Sequence, residues 1–279
     1  MTATVALLVA LVASTSALSL PTRRETVKLA AAVAATASSS SLPAFAETIN
    51  DISAIEQQKV RLSKGQVEKK LSKVPVIALV NSEDAPFLTG GNGRIGYFFL
   101  DPIEALREKK LIERDQPDAR LKVVTLPEVF FPLVRGEQGN LGGELRLKPS
   151  RRQVVLANRA LVYQKKETQL MATTLDENKG QVPVFYSEKV SYENKEGEQS
   201  FPFFLSKEDL DAAYAELQKI AGGPVSEDGT IPIGLVRVAT LDGLVDQMLT
   251  GEVDLSKAIL VAARSSLNAV RSIVQDGTP

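Results

Sequence analysis

Three close pairs of acidic side chains are the first residues in this sequence that could do chemistry. Paired carboxylates act as general acid and base when their surroundings separate their pKa values, and several oxygens on one loop bind a hard cation. None of the pairs has the spacing of an EF-hand loop, and all lie in polar stretches of the chain. We therefore predict solvated surface carboxylates at Asp115 and Asp118, at Asp176 and Glu177, and at Asp209 and Asp211.

A glycine-rich segment, Gly91-Asn92-Gly93-Arg94-Ile95-Gly96, matches the G-x-G-x-x-G pattern of dinucleotide-binding proteins. In those proteins the glycines follow a strand and open a helix, so that backbone amides reach the pyrophosphate. Here the segment leads into Tyr97-Phe98-Phe99-Leu100, which has the composition of a strand. The context favours a turn, and we predict no nucleotide cofactor.

The composition removes most catalytic residue types. The chain of 279 residues contains no His, no Cys and no Trp, which excludes disulfides, thiol chemistry and the commonest zinc ligands. A serine nucleophile would lack a histidine base, and no G-x-S-x-G elbow occurs. We predict a protein that is not an enzyme and has no metal or cofactor. The net charge of −1 gives no basic face for phosphates, so we expect no nucleic-acid partner.

Three Phe-Phe doublets are the candidate binding residues. Adjacent residues on a strand face opposite sides of the sheet, so one ring of a strand doublet can fill the core while the other lines a groove. An exposed apolar groove would suit an extended polypeptide. In the alternative, both faces of each strand are covered and all rings belong to the core. The candidate polypeptide-binding residues are Phe98, Phe99, Phe130, Phe131, Phe203 and Phe204.

The elements that must position these rings occur twice in the same order. Val74-Pro75-Val76 recurs as Val182-Pro183-Val184, and an aromatic strand follows in each half. Asp101 and Ser206 stand directly after the aromatic strands and are suited to cap the next helix. Each half predicts the order β-β-α-β-α-β-α. We predict an α/β fold in which two pseudo-symmetric repeats of mixed strands and short helices form one compact unit.

The first 46 residues predict two targeting signals in tandem. Residues 5–13 form a short apolar run typical of a signal peptide, although one signal on a secreted protein is the other interpretation. Arg23-Arg24, a second apolar stretch and Ala44-Phe45-Ala46 indicate a twin-arginine export signal that is cleaved after Ala46. Two signals imply two membrane crossings, which predicts a plastid protein and favours the thylakoid lumen.

The rest of the chain is predicted as four segments. Residues 47–73 are charged with apolar positions at helical intervals, which predicts an amphipathic helix interrupted at Gly65. The repeats span 74–161 and 181–279, and the polar segment 162–180 links them. Residues 1–46 carry three basic and one acidic side chain, so their removal leaves a net charge of −3.

These landmarks resemble the family of the twenty-two-kilodalton component of the protein translocon at the inner chloroplast envelope (Tic), together with its cyanobacterial relatives. The resemblance lies in residues 74–76, 97–102, 123–129 and 148–150 and in their second-half counterparts. It implies a soluble, pseudo-twofold α/β protein with apolar pockets on its faces. Its expected partners are precursor or unfolded polypeptides, with peripheral contact to a membrane translocon.

What the resemblance implies for function is a non-enzymatic plastid protein-import factor with chaperone-like binding of translocating polypeptides. The twin-arginine signal points to the thylakoid lumen of a plastid. Family members work between the envelope membranes or in cyanobacterial periplasm and thylakoids, so this signal departs from the family pattern. The envelope intermembrane space is therefore the alternative location. A thylakoid-lumenal structural or assembly subunit of a membrane complex is the alternative function.

Overall fold

The computed structural model describes six ranges of the chain, which are 60–88, 94–137, 143–168, 174–193, 197–222 and 228–276. The predicted targeting signals, the Ala46 cleavage site and the first part of the predicted N-terminal helix lie outside these ranges. The first half of the glycine-rich segment, residues 91–93, also lies outside them. No helix among the described residues is long and apolar enough to cross a membrane.

The first sheet has four strands in the order β3-β1-β2-β4. β1 is antiparallel to both of its neighbours, whereas β2 and β4 are parallel. Every residue of β1 is buried, as expected for a run of apolar residues that is covered on both faces. The strands are β1 (Pro75–Val80), β2 (Ile95–Phe99), β3 (Arg120–Thr125) and β4 (Glu144–Lys148).

The second sheet arranges the corresponding strands in the same way. β5 is antiparallel to β7 and β8, β7 is parallel to β9, and the short β6 pairs with the start of β7. The strands are β5 (Pro183–Tyr186), β6 (Tyr192–Glu193), β7 (Gln199–Phe204), β8 (Arg237–Thr240) and β9 (Ala258–Val261).

Equivalent residues of the two sheets have equivalent partners. Phe99 lies opposite Ile77 in the first sheet, and Phe204 lies opposite Phe185 in the second. The α/β class with two sheets of mixed strands is therefore confirmed. The pseudo-symmetry of the whole halves stays a prediction, which these shared registers support.

Seven α-helices accompany the strands within the described residues, and two of them have the caps that the sequence predicts. The Asp101 carboxylate accepts the N–H of Ile103 at 2.9 Å, and the Ser206 hydroxyl accepts the N–H of Asp209 at 3.3 Å. The helices are α1 (Lys64–Leu71), α2 (Pro102–Ile112), α3 (Leu126–Val129), α4 (Arg151–Thr168), α5 (Lys207–Ile220), α6 (Leu241–Thr250) and α7 (Arg264–Asp276).

Two helices differ from their predicted bounds. α1 begins at Lys64, because Ser63 and Gln66 form a capping box there, so Gly65 lies inside the first turn and does not interrupt the helix. α4 continues to Thr168, beyond the predicted repeat boundary at residue 161. The side chain of Gln164 donates to the carbonyl of Val236 at 2.7 Å, and this contact with the second half supports the longer helix.

The last helix of each half packs on the sheet of the other half. Val154, Ala157 and Ala160 of α4 share a buried cluster with Phe185 and Phe204 of the second sheet. In the same way, Val270 of α7 shares a cluster with Ile77, Leu79 and Phe99 of the first sheet. α2 and α7 thus cover one face of the first sheet, and α5 and α4 cover one face of the second.

The other faces of both sheets share a single large core. It includes Val76 and Phe98 of the first half together with Val184 and Phe203 of the second. α1, α3 and α6 supply further buried side chains of this core. Because the core is continuous and the terminal helices are exchanged, neither half can bury its apolar surface alone.

Candidate functional site

All six phenylalanines predicted to bind a polypeptide lie in the interior, and none is more than 7% exposed. Phe98 and Phe203 belong to the shared core, whereas Phe99 and Phe204 face the covering helices. The arrangement matches the alternative in which both faces of each strand are covered. Polypeptide binding by these rings stays a prediction, and it would require the covering helices to move away.

Phe130 and Phe131 belong to a π-helical turn, Phe130–Val134, that directly follows α3. Their ring centroids are 5.2 Å apart in an edge-to-face arrangement. The guanidinium of Arg135 lies 4.9 Å from the centroid of Phe130, and the ammonium of Lys64 lies 5.0 Å from that of Phe131. Both rings therefore have a cation at their face, which stabilises the turn.

Arg135 also joins this turn to the second half. Its guanidinium lies 2.8 Å from a carboxylate oxygen of Asp246 and 3.4 Å from one of Asp242. Burial raises the pKa of Asp242, and the charge of Arg135 offsets only part of that effect. We conclude that the Phe130–Phe131 pair and its cation hold the two halves together.

A cavity of about 50 Å³ lies where the two halves meet. Its lining combines equivalent positions of both halves, such as Leu100 with Leu205 and Pro75 with Pro183. The Ser266 hydroxyl donates to the carbonyl of Leu100 at 2.7 Å beside it. One water molecule needs about 10–15 Å³ of such space, so the cavity has room for a few waters but not for a polypeptide.

At least one carboxylate of each acidic pair accepts a hydrogen bond within the fold. Asp118 accepts the N–H of Ser82 at 3.2 Å, and Asp211 accepts the ammonium of Lys207 at 2.7 Å. The predicted exposure is wrong for Asp209, which is buried because its carboxylate accepts the N–H of Arg264 at 2.9 Å. No group of three metal-ligating side chains is found in the part of the chain that the structure describes.

Two helices, α2 and α4, each expose three large apolar side chains that no sequence motif marks. Their common feature is that they lie opposite the buried face of an amphipathic helix. A helical-wheel comparison could have found them, because Val154, Ala157 and Ala160 already fill the buried face of α4. The exposed fractions are 59% for Ile103, 43% for Leu106 and 57% for Leu111 on α2, and 61% for Val155, 56% for Val162 and 40% for Tyr163 on α4.

An open cleft of about 490 Å³ lies beside the start of α4. One wall is α4 itself, and the other is the segment around the 3₁₀ turn Glu177–Lys179. The side chain of Asn158 fixes this segment, since it accepts the N–H of Leu175 at 2.8 Å and donates to its carbonyl at 3.0 Å. The lining combines the apolar side chains of Val154, Val155 and Leu175 with the charged ones of Arg151, Asp176, Glu177 and Lys179.

These features define a class of protein, namely an α/β protein with two mixed sheets, exposed apolar side chains on its helices and an open cleft. The chain belongs to the Tic22-like family, whose model matches residues 15–266. The resemblance found in the sequence is thereby confirmed. Membership of this family supports an import-related role associated with plastids.

Two solved structures share the fold. Tic22 from Plasmodium falciparum is 22% identical, with a TM-score of 0.55, and the match covers 76% of this chain and 99% of that one. Anabaena Tic22, described as a protein of protein transport, is 16% identical, with a TM-score of 0.56 and coverage of 76% and 97%. A comparison with curated protein sequences gives no match.

Proposed function

We propose that this protein is a non-enzymatic plastid protein-import factor that binds translocating polypeptides in a chaperone-like manner. The observation that carries the proposal is the group of exposed apolar side chains Val155, Val162 and Tyr163 on α4, which share the outer face of the helix with Arg152 and Arg159. The family membership supports the import role, and the surface of α4 supplies a place for the polypeptide.

The face of α4 suits an extended segment with apolar side chains. Val155 also lines the open cleft, so a segment that contacts it can continue between α4 and Glu177. Apolar contacts are not directional, which lets one surface accept many sequences. The cleft contains charged side chains of both signs, and these can pair with either charge on the bound segment.

A double substitution on α4 tests the proposal. Val155→Asp with Val162→Asp places two charges where apolar side chains would be buried by the bound segment. A fully buried valine contributes about 1.5 kcal/mol, so we expect at least tenfold weaker suppression of aggregation of a heat-unfolded model enzyme. The protein used is the mature chain from Glu47.

The matched control is Val253→Asp, which changes a valine of similar exposure, 50%, in the loop between α6 and β9. We expect this variant to suppress aggregation as the wild type does. The melting temperature of all variants should be nearly unchanged, because the altered side chains are exposed. Equal suppression by the double variant and the control would refute binding at α4.

The alternative function is a structural or assembly subunit of a membrane complex in the thylakoid lumen. We infer the plastid location from the family and the lumen from the twin-arginine signal. Fractionation of plastids, with the mature N-terminus read by mass spectrometry, tests both points. A terminus at Glu47 in the lumen fraction is expected. Comigration with a photosynthetic complex, without affinity for unfolded chains, would favour the alternative.

A further inference from the structure

The outer face of α2 combines apolar and basic side chains, and the acidic side chains of the helix lie at the edge of this face. Five residues of α2 are exposed, namely Ile103, Leu106, Arg107, Lys110 and Leu111. At about 100° per residue they fall within an arc of roughly 140°. The acidic side chains Glu104 and Glu108 are only partly exposed, and the Glu104 carboxylate lies 3.2 Å from the guanidinium of Arg107, which itself stays exposed.

The equivalent helix of the second half, α5, has acidic side chains where α2 has apolar ones, although it occupies the same place on its own sheet. The positions of Ile103, Leu106 and Leu111 correspond to Glu208, Asp211 and Glu216 of α5. α2 contains three basic and two acidic side chains, and the equivalent eleven residues 207–217 contain one basic and four acidic. The fold therefore does not require the apolar and basic side chains of α2.

The neighbouring helix, α7, also carries an exposed basic side chain. α7 packs beside α2 on the same sheet, with Ser266 near the start of α2 and Val270 in one cluster with Ala105. The two helices thus run side by side in the same direction. Arg271 of α7 is exposed and follows Val270 directly, so the helix next to α2 also carries a cation at the surface.

We propose that this surface, formed by the exposed residues of α2 with Arg271, docks the protein on an anionic lipid bilayer. A helix lying in the membrane interface has apolar side chains that enter the acyl boundary and Lys or Arg side chains that meet lipid phosphates. Ile103, Leu106 and Leu111 supply the first group, and Arg107, Lys110 and Arg271 supply the second. The basic side chains stand out against the net charge of −1 of the whole chain.

This docking goes beyond the proposed polypeptide binding, because it uses a different surface. α2 covers the first sheet, whereas α4 covers the second. A protein attached through α2 would leave the exposed face of α4 to a translocating chain. Variants of the two helices should therefore separate the two activities.

Co-sedimentation of the mature chain with lipid vesicles tests the proposal. Vesicles of phosphatidylcholine with added phosphatidylglycerol should bind the wild type, and vesicles of phosphatidylcholine alone should bind it much more weakly. A basic residue at an anionic surface contributes about fivefold in affinity, so Arg107→Gln with Lys110→Gln should weaken binding roughly thirtyfold. Added salt should weaken the binding of the wild type.

A second variant gives α2 the residues that α5 already carries. The triple change Ile103→Glu, Leu106→Asp and Leu111→Glu should abolish vesicle binding while the protein remains folded by circular dichroism. It should also leave the suppression of aggregation unchanged. The α4 variant Val155→Asp with Val162→Asp is the matched control, and we expect it to bind vesicles as the wild type does.

Three results would overturn the proposal. The first is equal binding of the wild type to neutral and anionic vesicles, or no binding to either. The second is undiminished vesicle binding by both α2 variants. The third is binding of soluble polyglutamate through α2 without binding of vesicles, which would assign the surface to an acidic polypeptide partner.

Discussion

The side-chain oxygen of Gln153 in α4 accepts the backbone N–H of Lys207, at the start of α5, at 2.9 Å. The amide nitrogen of the same side chain donates to the carboxylate of Glu208 at 2.6 Å. Gln153 follows the last strand of the first half, and Lys207 follows the aromatic strand of the second. One side chain thus fixes the point at which α4 crosses from its own half to the other.

Gln153→Ala should lower the free energy of unfolding by about 1–3 kcal/mol, because it leaves the half-buried N–H of Lys207 without its acceptor. Burial raises the pKa of Glu208, but the hydrogen bond from Gln153 and further contacts lower it by more. The pKa of Glu208 should therefore rise in the variant. Urea unfolding and NMR titration measure the two effects, with the exposed Gln116→Ala as control. Equal stability of both variants would contradict the prediction.

Phe204→Ala should destabilise the protein by about 3–5 kcal/mol, since the ring is fully covered and its loss leaves a cavity. Phe201→Ala, in the same strand, should change stability far less, because its ring is 46% exposed compared with 2% for Phe204. Thermal and urea unfolding give both values. A small effect at Phe204 together with weaker polypeptide binding would instead favour the groove hypothesis for the doublets.

Asp84 should contribute a pH-dependent stability. Its carboxylate accepts the Lys122 ammonium, and this hydrogen bond is the main reason why the pKa of Asp84 is lowered. A lowered pKa means that the contribution is complete above the unfolded pKa, ordinarily about 3.9, and is lost as the pH falls through the folded value. The side chain is partly exposed, so the effect should be at most about 1 kcal/mol.

The measurement compares the urea midpoints of wild type and Asp84→Asn at pH 7 and at a pH below the lowered pKa that Asp84 has in the folded protein. Asparagine tolerates the left-handed conformation of this residue, whose φ is 64°, so the backbone should not be strained. The difference between the proteins should disappear in acid. Glu83→Gln removes a carboxylate from the same turn and should show no comparable convergence.

Arg135→Lys should lower the free energy of unfolding by about 1 kcal/mol, although the charge is kept. A lysine ammonium cannot contact Asp242 and Asp246 with a planar fork and also stack on the ring of Phe130. Arg114→Lys, at an exposed position after α2, is the control and should be neutral. Equal urea midpoints for the two variants would show that the planar group of Arg135 is not needed.

Much of the fold could be predicted from local pattern. Asp101 and Ser206 cap their helices as expected, because capping needs only a side chain within reach of the next turn. The strands that contain Phe99 and Phe204 were expected as well, since short apolar runs between polar turns indicate strands. The candidate site was less predictable. A Phe-Phe doublet has the same sequence whether one face or both faces of its strand are covered.

The sequence by itself determined the class of the fold and the absence of His and Cys chemistry. It also determined the order of elements in the first half and, apart from the short strand β6, in the second. These features follow from residue type and short-range periodicity. Only the tertiary structure decided that α4 and α7 are exchanged between the halves and that all six phenylalanines are covered. It also decided that Val155 on α4 and Ile103 on α2 remain exposed. The physical reason is that burial depends on contacts between residues distant in the chain, which no local pattern records.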